Sequence, residues 1–192
     1  MNKTRLEAFS DGVLAILITI MVLELRVPHN RAELSDLVPL IPTALCYILS
    51  FAYLGIYWNN HHHMFHTCSK VTGNIMWANL HLLFWLSLIP FVTAWMGENH
   101  YAQWPVALYG VVLFMAGTAY YILQTIIIRS QGQGSLLKKA VGGDFKGKAS
   151  PALYLLAILF TFFAPWVAEA IYVGVALMWI IPDRRIERII QD

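Results

Sequence analysis

Residues 5–27 read RLEAFSDGVLAILITIMVLELRV, and the position of the charges in this stretch decides how the chain must fold. Only the 12 residues from Gly12 to Leu23 separate Asp11 from Glu24. At ~1.5 Å per residue they make a helix of about 18 Å, well short of the ~30 Å hydrocarbon core of a bilayer. To cross, the helix must run on through Arg5, Glu7, Asp11 and Glu24 and carry ionisable groups in or near the membrane. Such groups cost on the order of 2.5–3.5 kcal/mol at mid-helix and turn towards a bundle interior or a watery path. A central helix is therefore expected here, not a lipid-facing one.

At about 100° per residue, Gly12, Ile16, Thr19, Ile20, Leu23 and Val27 fall on one side of this helix, and Asp11 lies about 140° from Ile16. Leu14, Ile18, Met21 and Leu25 make the opposite side equally apolar. Periodicity alone leaves open which face packs and which lines a path, and a wholly buried helix with an ionic lock is the plain structural alternative.

The rest of the chain agrees with a membrane setting. Of its 192 residues 58% are hydrophobic and only 12% charged, against about 25% charged in soluble domains. Apolar runs place six helices at about 4–27, 38–57, 74–96, 104–128, 151–164 and 165–181, the last two split at Pro165, in a single transmembrane domain covering 1–192. Of the 13 Lys and Arg, this arrangement leaves only Arg26 and Arg31 on the outside. Such a positive-inside bias puts both termini in the cytoplasm of a multi-pass cell-membrane protein. The basic 132–148 stretch reads as a flexible loop drawn to anionic headgroups. Cys46 and Cys68 suggest neither disulfide nor metal motif.

The opening R-x-x-x-F-S-D-G of the first helix, Arg5 to Gly12, resembles the signature of the transmembrane protein 175 potassium channel family. The similarity extends to Trp58-Asn59-Asn60-His61-His62, Phe65, Asn79, Pro90-Phe91 and the run from Trp179 to Arg185. It implies the prokaryotic single-repeat form: an all-α membrane protein with six transmembrane helices per subunit, a homotetramer whose first helices line a central pore. It carries constriction and selectivity roles onto Ile16, Thr19 and Leu23, with Ile20 as a neighbour. Arg5, Phe9, Ser10 and Asp11 are implied to position the helix through polar packing with Trp58, His61, His62 and Asn79. The permeant ion it implies is K+, and no cofactor, nucleic acid or small-molecule substrate is expected.

No T-V-G-Y-G filter is present, so stacked backbone carbonyls do not select the ion. Rings of Ile16 and Leu23 would instead form a dry, hydrophobic constriction, Thr19 hydroxyls would replace some hydration, and Glu24 near the outer mouth would concentrate cations. His62 and His66 share a helical face at i, i+4, but no Cys, Asp or Glu lies close by in sequence to complete a metal site. The histidines and Asn79 read as hydrogen-bonding groups between helices. An enzyme is not expected, since H-E-x-x-H, G-x-S-x-G and paired-carboxylate patterns are missing. The alternative is a proton- or cation-coupled secondary transporter using Asp11 or Glu24, although the two halves show no convincing internal repeat.

Overall fold

The computed structural model describes residues 2–28, 32–142 and 145–180. Arg31 and the 181–185 part of the last landmark lie outside them. Asn2 starts α1 (Lys3–Met21) by accepting a hydrogen bond from Thr4 N, and a 3-10 turn, Val22–Glu24, tightens its far end. Leu6, Ser10, Leu14, Leu17 and Met21 are buried. Their steps of four and three residues make one stripe down the helix, so α1 packs by a single face and is not wholly buried within its chain.

A second helix, α2 (Ile41–His66), follows a 3-10 segment, Leu34–Leu40, whose start is closed by a capping box between Glu33 and Asp36. The apolar run suggested an end near residue 57. The helix continues through Trp58, Asn60 and His61 because each polar group finds a partner: Asn60 Nδ2 donates to Ile56 O at 2.8 Å, and the other two bond to neighbouring helices. The 74–96 segment is two helices, α3 (Gly73–Ser87) and α4 (Ile89–Glu98). Pro90 has no N–H for the carbonyl of Leu86, and its ring disfavours a continuous turn, so the helix resets at Leu88.

The longest element is α5 (Gln103–Gln131), ended by Gly132 at φ 64, a left-handed conformation that suits glycine. The stretch read as a flexible loop contains α6 (Leu136–Val141) and the start of α7 (Phe145–Thr161). Ser135 caps α6 by accepting from Lys138 N, and Leu137 is buried, so local capping plus one apolar anchor orders it. A tight turn, in which Ala164 N donates to Phe160 O at 2.7 Å, leads to α8 (Pro165–Ile180).

In the interior α5 packs against α3, α4, α7 and α8, whereas α1 leans on α2, α3 and α4. Hydroxyl groups tie the core. Ser50 bonds Thr93 at 2.6 Å and Tyr109 at 3.0 Å, Tyr53 donates to Tyr172 O at 2.6 Å, and Tyr172 donates to Val106 O at 3.1 Å. In an apolar surrounding each unmade bond would be costly. Close approach of α4 to α2 depends on Gly97, where a Cβ would stand 2.6 Å from Thr43 Cα.

Candidate pore-lining helix

Opposite the buried stripe, α1 presents Phe9, Ile16, Thr19, Ile20 and Leu23 outward. Ile16 is 59% exposed, Ile20 40% and Leu23 72% in the single chain. Thr19 shares the face, and its hydroxyl donates backward to Ala15 O at 3.0 Å and Ile16 O at 2.9 Å. With its hydrogen turned into the helix, the oxygen keeps lone pairs directed away from it. This is a stripe of two large apolar side chains one above the other, with an acceptor oxygen between them.

Polar contacts from two neighbouring helices hold α1 in this orientation. Asn79 Nδ2 on α3 donates to Ser10 Oγ at 2.9 Å, and Ser10 Oγ in turn donates to Leu6 O at 2.9 Å. Because the Asn79 amide hydrogen goes to Ser10, its Oδ1 faces His61, which lies 2.7 Å away and donates through Nε2. Ser10, His61 and Asn79 are all buried, and the His61 ring lies over Phe65 with centroids 4.5 Å apart. One residue on, Asp11 Oδ1 accepts from Trp58 Nε1 at 3.0 Å, so two consecutive side chains of α1 reach two different helices. Burying the Ser10 side turns Ile16 outward, so the face that packs within the chain is the one carrying Leu14.

Ser10, Asp11, Trp58, His61 and Asn79 thus come together in one anchor. Arg5 and Phe9 do not join it and lie on the exposed face, Phe9 at 51%. His62 is also outside; its ring stands 6.5 Å from His66 and 5.8 Å from His63, centroid to centroid. His81 stays within its own helix and accepts from Trp85 Nε1 at 3.0 Å.

Two further contacts are not evident from the residues alone. Lys3 Nζ donates to His66 O at 3.2 Å, placing a cation on the electronegative end of α2. At the other end of α1, past the 3-10 turn, Arg26 pairs with Glu98 of α4 at 3.2 Å. A Lys near a helix start and an Arg past a helix end are common signals, but nothing in the spacing names their distant partners. Glu24, Leu23 and Ile20 border an open groove with Phe91 and Glu98.

Among the described residues four segments, Lys3–Glu24, Leu34–His66, Gly73–Glu98 and Gln103–Gln131, are long and apolar enough to cross a bilayer, and α8 is a shorter apolar helix. The described residues have the fold of an all-helical membrane protein. Residues 5–90 match the family model described as endosomal/lysosomal potassium channel TMEM175. Over 192 residues, all of both chains, it is 56% identical to a potassium channel of Chryseobacterium sp. (strain P1-3). A potassium channel of Chamaesiphon minutus is 29% identical over 180 residues, 87% of this chain and 88% of the other. The fold matches the crystal structure of a lysosomal potassium-selective channel TMEM175 homolog from Chamaesiphon minutus with a TM-score of 0.82 at 26% identity, covering 94% of this chain and 97% of that one. The chain belongs to the TMEM175 channel family. These relatives are named as channels, which does not favour the coupled-transporter alternative.

Proposed function

We propose that the chain is one subunit of a homotetrameric, potassium-permeable channel of the cell membrane, in which four copies of α1 surround a passive conduction path and both termini lie in the cytoplasm. The observation that carries this reading is the division of α1. Ser10 and Asp11 are tied down by Asn79 and Trp58, while Ile16, Thr19 and Leu23 face away and stay exposed in the single chain. Four such faces around an axis would place rings of Ile16 and Leu23 across the path, with Thr19 oxygens between them.

Apolar rings exclude water when narrow and pass a partly dehydrated cation when wider. Thr19 is suited to replacing part of the lost hydration, because its hydrogen is already donated to the backbone. Hydroxyl rings offer fewer oxygens than stacked carbonyls, so discrimination of K+ over Na+ is modest. Glu24, partly exposed beyond the Leu23 ring, raises the local cation concentration.

The test is planar-bilayer recording of the purified protein under opposed K+ and Na+ gradients. Unitary current steps reversing towards the K+ potential support the reading. Saturable, coupled flux without unitary steps overturns it.

A further inference from the structure

We propose that a cavity between α2, α5, α7 and α8, away from the face of α1, binds a small uncharged ring compound carrying one hydrogen-bonding group, of the phenol class. The cavity measures about 70 Å³, room for about five waters or one small ring. Gln124 and Tyr57 line it, only 7% and 9% exposed, and among the described residues neither the Gln124 amide nor the Tyr57 hydroxyl has a hydrogen-bond partner. Among the described residues no fully buried side-chain N or O lacks a partner, so the Gln124 and Tyr57 polar atoms keep contact with open space, which the cavity they line supplies.

Several other polar groups around the cavity are already engaged. Asn60 Nδ2 donates to Ile56 O, Tyr120 donates to Asn60 O at 3.2 Å, and Trp179 Nε1 donates to Ser150 Oγ at 2.8 Å. A water cluster would therefore find few partners, and the rings of Tyr120, Tyr154 and Trp179 offer it apolar wall. Among the described lining residues none carries a charge, so an ion entering would lose its hydration without a counter-charge. An aromatic ring stacks against these walls, and its single hydroxyl can both donate to the Gln124 carbonyl oxygen and accept from Tyr57.

Gly117 keeps the space open. A Cβ there would lie 3.8 Å from both Tyr154 Cε2 and Tyr57 Oη, an ordinary contact, so larger side chains fill the cavity without first displacing a helix. Tyr57 immediately precedes Trp58, so an occupant sits one residue from an anchor of α1.

The test is binding of phenol to the full-length protein in lipid nanodiscs, followed by ligand-observed NMR with benzene and benzoate as comparators. Saturable phenol binding is expected, with benzene and benzoate at least about fivefold weaker, Q124L and Y57F each losing about fivefold, and G117V losing more than either. Should G117V fail to fold, G117A gives the same result with a smaller loss. Non-saturable uptake, or phenol binding unchanged in Q124L, Y57F and G117A, overturns the proposal.

Discussion

Asn79 on α3 reaches Ser10 on α1 across 2.9 Å in a place where neither side chain meets solvent. The same amide accepts from His61 on α2, so one side chain joins three helices. Replacing it with Leu leaves a buried imidazole N–H and a buried hydroxyl short of partners. Asn79→Leu is expected to destabilise the subunit by about 1–3 kcal/mol, read as a lowered Tm in lipid or detergent. Ser10→Ala, which removes only one end of the chain of bonds, should cost less; an equal or larger loss would show that Asn79 is not the hub.

At the exposed face the expected effects are on current, since no packing is lost. Ile16→Asn places an amide on an outward-facing position that is 59% exposed in the single chain. It should wet the constriction and raise K+ current severalfold in planar bilayers. A current equal to that of the unmodified protein would remove Ile16 from the narrow point.

Thr19→Val keeps the shape of the side chain and deletes the oxygen. The lost donor was spent on Ala15 and Ile16 carbonyls of the same helix, so folding should change little. Under bi-ionic conditions the reversal potential should shift towards zero as K+ loses its advantage over Na+. An unshifted reversal potential would assign selectivity elsewhere.

Gly97→Ala tests the α2–α4 contact. The added Cβ would stand 2.6 Å from a backbone carbon of Thr43, which cannot rotate away as a long side chain could. A loss of about 1–3 kcal/mol is expected from the forced separation, again visible in Tm. A Tm at or above that of the unmodified chain would show that the helices separate freely there.

The Arg26–Glu98 pair offers a contrast, because both side chains are largely in solvent. Arg26→Gln should leave thermal stability unchanged within error, at low and at high salt alike. A salt-dependent fall in Tm would mark the pair as part of a tighter network than the geometry shows.

Much of the architecture could be read from residues because bilayer thickness ties apolar length to helix length. Asp11 and Glu24, standing too close together for an uncharged span, marked α1 as unusual before any contact was known. Helix ends were less legible. The polar run after Tyr57 looks like a terminus, yet α2 continues to His66 because Trp58 and His61 face other helices. The orientation of α1 was not legible from periodicity, since Leu14 and Ile16 are equally apolar; it depends on Ser10 meeting Asn79, 69 positions away. The bonds of the Tyr53, Tyr109 and Tyr172 hydroxyls were not legible either, because a partner that is a distant carbonyl or the Ser50 hydroxyl leaves no trace in spacing.

The side-chain hydrogen bonds of α1 to other helices sit at Lys3, Ser10 and Asp11, whereas Leu14, Leu17 and Met21 hold its other half by apolar contact alone. Directional bonds resist rotation; apolar contact permits sliding. The directional clamp therefore lies at one end, and beyond it about 18 Å of helix from Asp11 to Leu23 is held by packing, with the exposed Arg26–Glu98 pair past its tip. A tilt of only about 5° at the clamp carries the tip through roughly 1.5 Å by that geometry. Small motions of α2 and α3 are thus enlarged at the tip, and the amplification is set by where along the helix the last hydrogen bond falls.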